Sequence, residues 1–149
     1  MWVFYVLAGL IVIAAVLYLL GNYTFWLPPL RSANIPRVVM LHQVTPHAEA
    51  SGMNMPPEKF EQLLQYLVSK KAQFCFVSEI DQFQGQNNIF ALSFDDGFMD
   101  NYQYAYPLLK KYQAKATIYL ATQIEGIEKL SAEQIREMSD SGVIEFGAH

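Results

Sequence analysis

The run Leu92-Ser93-Phe94-Asp95-Asp96-Gly97 places two adjacent carboxylates and a glycine at the end of an apolar, strand-like stretch, Ile89-Phe90-Ala91-Leu92. Carboxylates in that place suit catalysis better than folding, because ligands of open α/β sheets and β/α barrels sit beyond the carboxyl ends of the strands. Two neighbouring aspartates can divide the work. One binds a divalent cation, and the other takes a proton from water held at that cation. Taken alone, Asp-Asp-Gly also describes a polar turn that closes a strand, since Asp and Gly both tolerate turn geometry.

The residues downstream weigh against the turn. Asn101-Tyr102 leads into Tyr106-Pro107-Leu108-Leu109-Lys110-Lys111-Tyr112, then Ala116-Thr117-Ile118-Tyr119-Leu120-Ala121-Thr122, and finally Ile144-Glu145-Phe146-Gly147-Ala148-His149. Together these segments resemble the polysaccharide deacetylase family, carbohydrate esterase family 4 with its NodB-homology domain, from Pro36 to the last residue. Ser93 stands where the family usually has Thr, and Phe98 where Tyr is common. Neither departure touches the carboxylates. The resemblance implies that Asp95 is the general base, that Asp96 binds the metal, and that His149 is the first histidine of a His-x-x-x-His pair. An Asp-His-His set with an open position for water is a sensible hydrolytic site for zinc or a related divalent cation. The sequence stops inside that motif, so the chain reads as the N-terminal part of the domain.

His42 follows the first expected strand in Met40-Leu41-His42. A lone histidine after a strand is ordinarily structural. In the poly-N-acetylglucosamine deacetylase branch, however, the motif order is permuted and an early Tyr-His or Leu-x-His-like element supplies the acid histidine. Met40-Leu41-His42 resembles that element, with Leu41 where Tyr is frequent. The resemblance thus implies His42 as general acid, with His47 a weaker candidate, and an N-acetylated cell-surface polysaccharide, poly-N-acetylglucosamine, as substrate. The expected reaction is metal-dependent hydrolysis of an N-acetyl group to acetate and a free amine. The alternative is a catalytically inactive, membrane-anchored glycan-binding remnant of the same fold.

The elements that must position these residues begin after a membrane segment. From Met1 to Leu20 no side chain is charged, and at about 1.5 Å per helical residue this run spans a hydrocarbon core of about 30 Å. Trp2, Tyr5, Tyr18, Tyr23, Phe25 and Trp26 cluster towards its ends, where amphipathic rings favour the headgroup region. A basic leader and a small-x-small cleavage site are both missing, which favours an uncleaved anchor over a signal peptide. The expected division is a transmembrane anchor over residues 1–21, a juxtamembrane linker over 22–36 centred on Leu27-Pro28-Pro29-Leu30-Arg31-Ser32, and the deacetylase-like part over 37–149. Arg31 and Arg37 after the anchor would, on charge alone, put the rest of the chain in the cytoplasm. The glycan substrate implied by the resemblance places it outside, and a single-pass protein with an extracytoplasmic domain is the expectation adopted.

The 149 residues carry a net charge of −4 with no basic stripe, which argues against nucleic acid as a partner. The single cysteine, Cys75, lies in the apolar run Phe74-Cys75-Phe76-Val77, as a buried strand residue would, and excludes an intrachain disulfide. Strand signals at Arg37–Leu41, Phe74–Val77, Ile89–Leu92, Lys115–Ala121 and Val143–Phe146 alternate with helical ones. Pro56-Pro57-Glu58 opens a helix with Phe60, Leu63, Leu64 and Leu67 on its apolar face. A second helix covers Asn101 to Tyr112 with a kink at Pro107. A third starts at a Ser131/Gln134 capping box, faces the core with Ile135 and Met138, and stops at Gly142. The stretch through Thr45, His47 and Gly52 reads as a polar loop at the rim of the site. Alternating strands and helices predict an α/β fold with parallel strands, and the family resemblance narrows it to an incomplete, distorted β/α barrel.

Overall fold

The computed structural model describes residues 2–23, 35–121, 123, 126 and 128–149. Most of the expected linker, including Leu27–Ser32, and the rings of Phe25 and Trp26 lie outside the described residues. The chain divides into two compact units, Met1–Ala33 and Asn34–His149.

The first unit contains α1 (Trp2–Tyr23), an apolar helix without an acidic first turn or a basic last turn. Its side chains from Trp2 to Leu20 are exposed all round, and that 19-residue stretch is long and apolar enough to cross a membrane, a test that a signal sequence also passes. Helices that are apolar on every face belong in hydrocarbon or a large core rather than in water.

In chain order the second unit runs β1 (Arg37–Leu41), β2 (Gln43–Val44), β3 (Asn54–Met55), α2 (Pro57–Ser69), β4 (Gln73–Cys75), a 3₁₀ segment (Val77–Phe83), β5 (Ile89–Phe94), a π-helical turn (Asn101–Ala105), α3 (Tyr106–Tyr112), β6 (Ala116–Leu120), α4 (Ala132–Asp140) and β7 (Ile144–Ala148). Its five-stranded sheet is ordered β1-β5-β6-β7, with β4 also on β5, and all the strand pairings are parallel. β1 runs along β5 from Arg37 opposite Phe90 to Leu41 opposite Phe94. The other edge of β5 is shared: β4 covers its first half, Ile89 to Ala91, and β6 its second, Leu92 to Phe94. With neighbours on both edges, β5 buries nearly every side chain, which is why it reads as a continuous apolar run rather than an alternation.

The helices close one core over this sheet. Phe60, Leu64 and Leu67 on α2 are buried, as their spacing predicts, and Phe60 meets Phe94 edge to face at 5.8 Å between ring centres. Leu109 of α3, Ile118 of β6, Met138 of α4 and Ile144 of β7 complete the cluster. The capping box forms as expected: Ser131 Oγ accepts the Gln134 N–H, and Gln134 Oε1 accepts the Ser131 N–H. Gly142, at φ +73°, follows the end of α4.

Two local expectations change. The stretch after His42 is not all loop, because β2 and β3 pair in parallel, Gln43 opposite Asn54 and Val44 opposite Met55. Two-residue strands are too short for any periodicity to announce. The helix expected from Asn101 to Tyr112 starts as a π-turn, where the Tyr106 N–H reaches Asn101 O, before α3 begins. Pro107 brings no N–H of its own, so the regular i to i−4 ladder is interrupted there and the extra residue is taken up just before it.

Candidate active site

Three strands bring the four singled-out residues to one end of the sheet. Leu41 ends β1 and delivers His42, Phe94 ends β5 and delivers Asp95 and Asp96, and Ala148 ends β7 and delivers His149. The strand ends are tied to one another: the Asp95 N–H donates to Leu41 O at 3.0 Å, and the His149 N–H donates to Leu120 O at 3.1 Å. Asp96 and Gly97 both take the left-handed conformation, φ +72° and +67°, and turn the chain away sharply after the strand. Asp tolerates that geometry and Gly has no barrier to it. A Cβ on Gly97 would lie 2.6 Å from Leu120 Cδ2, so the close packing of β5 against β6 also favours glycine there.

Around this corner His42 Nε2 lies 3.8 Å from Asp95 Oδ2, and His149 Nε2 lies 3.9 Å from both Asp95 Oδ2 and Asp96 Oδ1. These separations are longer than hydrogen bonds. The side chains of His42, Asp95 and Asp96 are 16%, 16% and 12% exposed, whereas His149 is 47% exposed. His42 Nδ1 is buried without a hydrogen-bond partner among the described residues. His47 sits elsewhere, its Nε2 3.1 Å from Tyr104 Oη. Cys75 is buried and free, and burial pushes its thiol up, the wrong direction for a nucleophile.

Asp96 and His149 offer a carboxylate oxygen and an imidazole nitrogen, both donor types that zinc accepts. Tetrahedral donors about 2.0–2.1 Å from zinc stand about 3.4 Å from each other, so this pair would close by about half an ångström around the ion. In donor type and proximity they fit two corners of a metal site. Among the described residues no group of three or more His, Cys, Asp or Glu side chains could hold an ion.

Sequence reasoning gave no site role to Asp100 or Asn101, at the start of the π-turn. Asn101 is completely buried, and its Nδ2 donates both to His42 O at 2.9 Å and to Asp100 Oδ1 at 3.0 Å. Asp100 Oδ1 also accepts the Val44 N–H at 3.4 Å. Burial pushes the Asp100 carboxyl up to about 6, and the Val44 N–H offsets only part of that. Asp100 lines a groove of about 270 Å³ with Gln43, Thr45, His47, Gln103 and Tyr104. The pair carries no motif by itself; its importance rests on burial, which the sequence does not display.

Residues 84–149 match the family Polysaccharide deacetylase. Over 124 residues the chain is 31% identical to YxkH of Bacillus subtilis, named as a candidate polysaccharide deacetylase, covering 79% of this chain and 43% of that protein. It is 26% identical over 111 residues to the poly-β-1,6-N-acetyl-D-glucosamine N-deacetylase of Staphylococcus aureus, covering 68% of this chain and 38% of the relative. The structure of IcaB from Ammonifex degensii superposes with a TM-score of 0.64 at 27% identity, covering 77% of this chain and 55% of that one. The chain therefore spans less than half the length of the curated relatives it matches. Parallel sheet, paired aspartates after its central strand and these similarities lead to one assignment: residues 84–149 match the polysaccharide deacetylase family, and the chain resembles members of that family over part of their length.

Proposed function

We propose that this chain belongs to a metal-dependent hydrolase that removes N-acetyl groups from a cell-surface polysaccharide of the poly-N-acetylglucosamine type. The observation that supports it most is the convergence of His42, Asp95, Asp96 and His149 at the ends of β1, β5 and β7, within 3.8–3.9 Å of one another along the chain of contacts. The second unit then forms the first part of a distorted β/α barrel, and α1 is its single-pass anchor.

Asp96 and His149 would hold a divalent cation, zinc or a close relative. When bound, such an ion supplies Lewis-acid polarisation of the acyl oxygen and lowers the pKa of the attacking water. Asp95 removes a proton from that water as its oxygen bonds to the acetamide carbon. His42, on the other side of Asp95, gives its proton to the sugar nitrogen as the carbon–nitrogen bond breaks. One water is consumed, and acetate and a free amine are released. Because three of these four side chains are largely buried, their charges act in a medium of low effective dielectric, where they steer a developing charge better than in water.

The test is acetate release from poly-N-acetylglucosamine by the membrane-embedded chain, with and without a chelator. Chelator-sensitive release that falls by at least a hundredfold in Asp95→Asn supports the assignment. Release that ignores both chelator and substitution overturns it. Polymer binding without any release favours the second reading, a glycan-binding remnant of the same fold.

A further inference from the structure

We propose that Asp100 and Asn101 are positioning residues for His42, fixing the chain just beyond it so that its imidazole stays against Asp95. The inference rests on the reading of His42 and Asp95 as a working pair. Nothing in β1 itself holds His42, because the strand ends at Leu41. The last tie of β1 to β5 is the Asp95 N–H on Leu41 O, which sets one boundary of the free stretch.

Beyond that boundary the peptide groups alternate in direction, as extended chain must. The N–H groups of Gln43 and Thr45 go to Met53 O and Met55 O on the β3 side, at 3.0 and 3.1 Å. The intervening groups find no strand partner: the Val44 N–H turns to Asp100 Oδ1, and the His42 carbonyl accepts from Asn101 Nδ2. Asn101 Nδ2 bridges the two residues by also donating to Asp100 Oδ1, so the contacts form one continuous chain from His42 O to Val44 N. A wholly buried amide cannot exchange these partners for water without a penalty, which makes the arrangement stiff. The segment carrying the pair is itself pinned, since the Asn101 N–H donates to Phe98 O and the Met99 N–H to Glu128 O. A shift of about 1 Å in His42 is enough to cost about a hundredfold in rate, and this clamp is what opposes such a shift.

The experiment uses the whole 149-residue chain in detergent micelles with ¹⁵N-labelled histidine. Three histidines keep the spectrum simple, and His42→Gln assigns the signal of interest. Asn101→Ala and Asp100→Ala are expected to shift and broaden the His42 ring signals. Asp100→Asn keeps an Oδ1 acceptor and is expected to restore the native positions. Met138→Ala, a core truncation at a fully buried residue, controls for loss of stability. If both alanine variants leave the His42 signals in place, or if Met138→Ala moves them as much, the clamp is wrong. In the acetate assay the same two variants should lower kcat by tenfold to a hundredfold with KM unchanged, and Asp100→Asn should recover it. Failure of the wild-type chain to release acetate would count against the deacetylase reading alone, because the ring signals decide the clamp independently.

Discussion

Asp100 is the residue whose surroundings make the most specific demand on pH. Its carboxyl titrates at about 6 in the folded chain instead of near 3.8, because burial disfavours the anion. A raised acid of this kind contributes stability that is fully present below pH 3.8 and is lost as pH rises through 6. Asp100→Asn keeps the acceptor for Val44 and Asn101 and removes the buried charge. The variant should therefore be more stable than wild type above pH 6, by about 1 to 2 kcal/mol after discounting for partial solvent screening, with the gain vanishing below pH 4. Thermal melts of both chains between pH 3.5 and 8 check this; a gain that persists at pH 3.5 would mean that charge is not its source. The place of the aspartate pair at a strand end could be read from sequence because a continuous apolar run, Ile89 to Leu92, leads up to it. Asp100 and Asn101 could not, since a polar pair in a turn looks the same whether it faces water or holds two backbone groups in the interior.

The elements differ in how openly their sequences declare them. In α4 every signal is local: a serine and a glutamine three residues apart make the cap, Met138 faces the core, and Gly142 follows the end. In α2 the spacing of Phe60, Leu64 and Leu67 gives the buried face directly. These two helices rest on different forces, which a pair of substitutions separates. Ser131→Ala removes the acceptor for the Gln134 N–H and should cost about 1 kcal/mol. Leu64→Ala empties a fully buried site and should cost about 2 to 5 kcal/mol. Denaturant titration of the solubilised chain measures both, and equal costs would refute this partition. By contrast β2, β3 and the π-turn come from long-range demands. The first two form because the chain beyond His42 needs partners for its N–H groups, and the third because Pro107 withholds one. Neither demand leaves a periodic trace, so the rim of the site was less legible than the strands that carry it.

At the scale of the whole molecule the α/β class was legible because strand and helix patterns alternate, and alternation leaves parallel pairing as the economical connection. The placement of the chain relative to a membrane is a separate matter, on which charge and substrate disagree. α1 is apolar on every face, and its 22 residues, at about 1.5 Å each, exceed the hydrocarbon thickness of about 30 Å. Two lysines at Leu10 and Val12 would each cost about 2.5 to 3.5 kcal/mol at the middle of such a span. We predict that the native chain stays with membranes through alkaline carbonate extraction, whereas Leu10→Lys with Val12→Lys is released. Orientation follows from protease treatment of intact spheroplasts. A polymer outside the cell requires that the unit from Asn34 to His149 be digested while the membrane remains sealed. Complete protection would place it in the cytoplasm, on the side that Arg31 and Arg37 favour, and an extracellular polysaccharide could then not be its substrate.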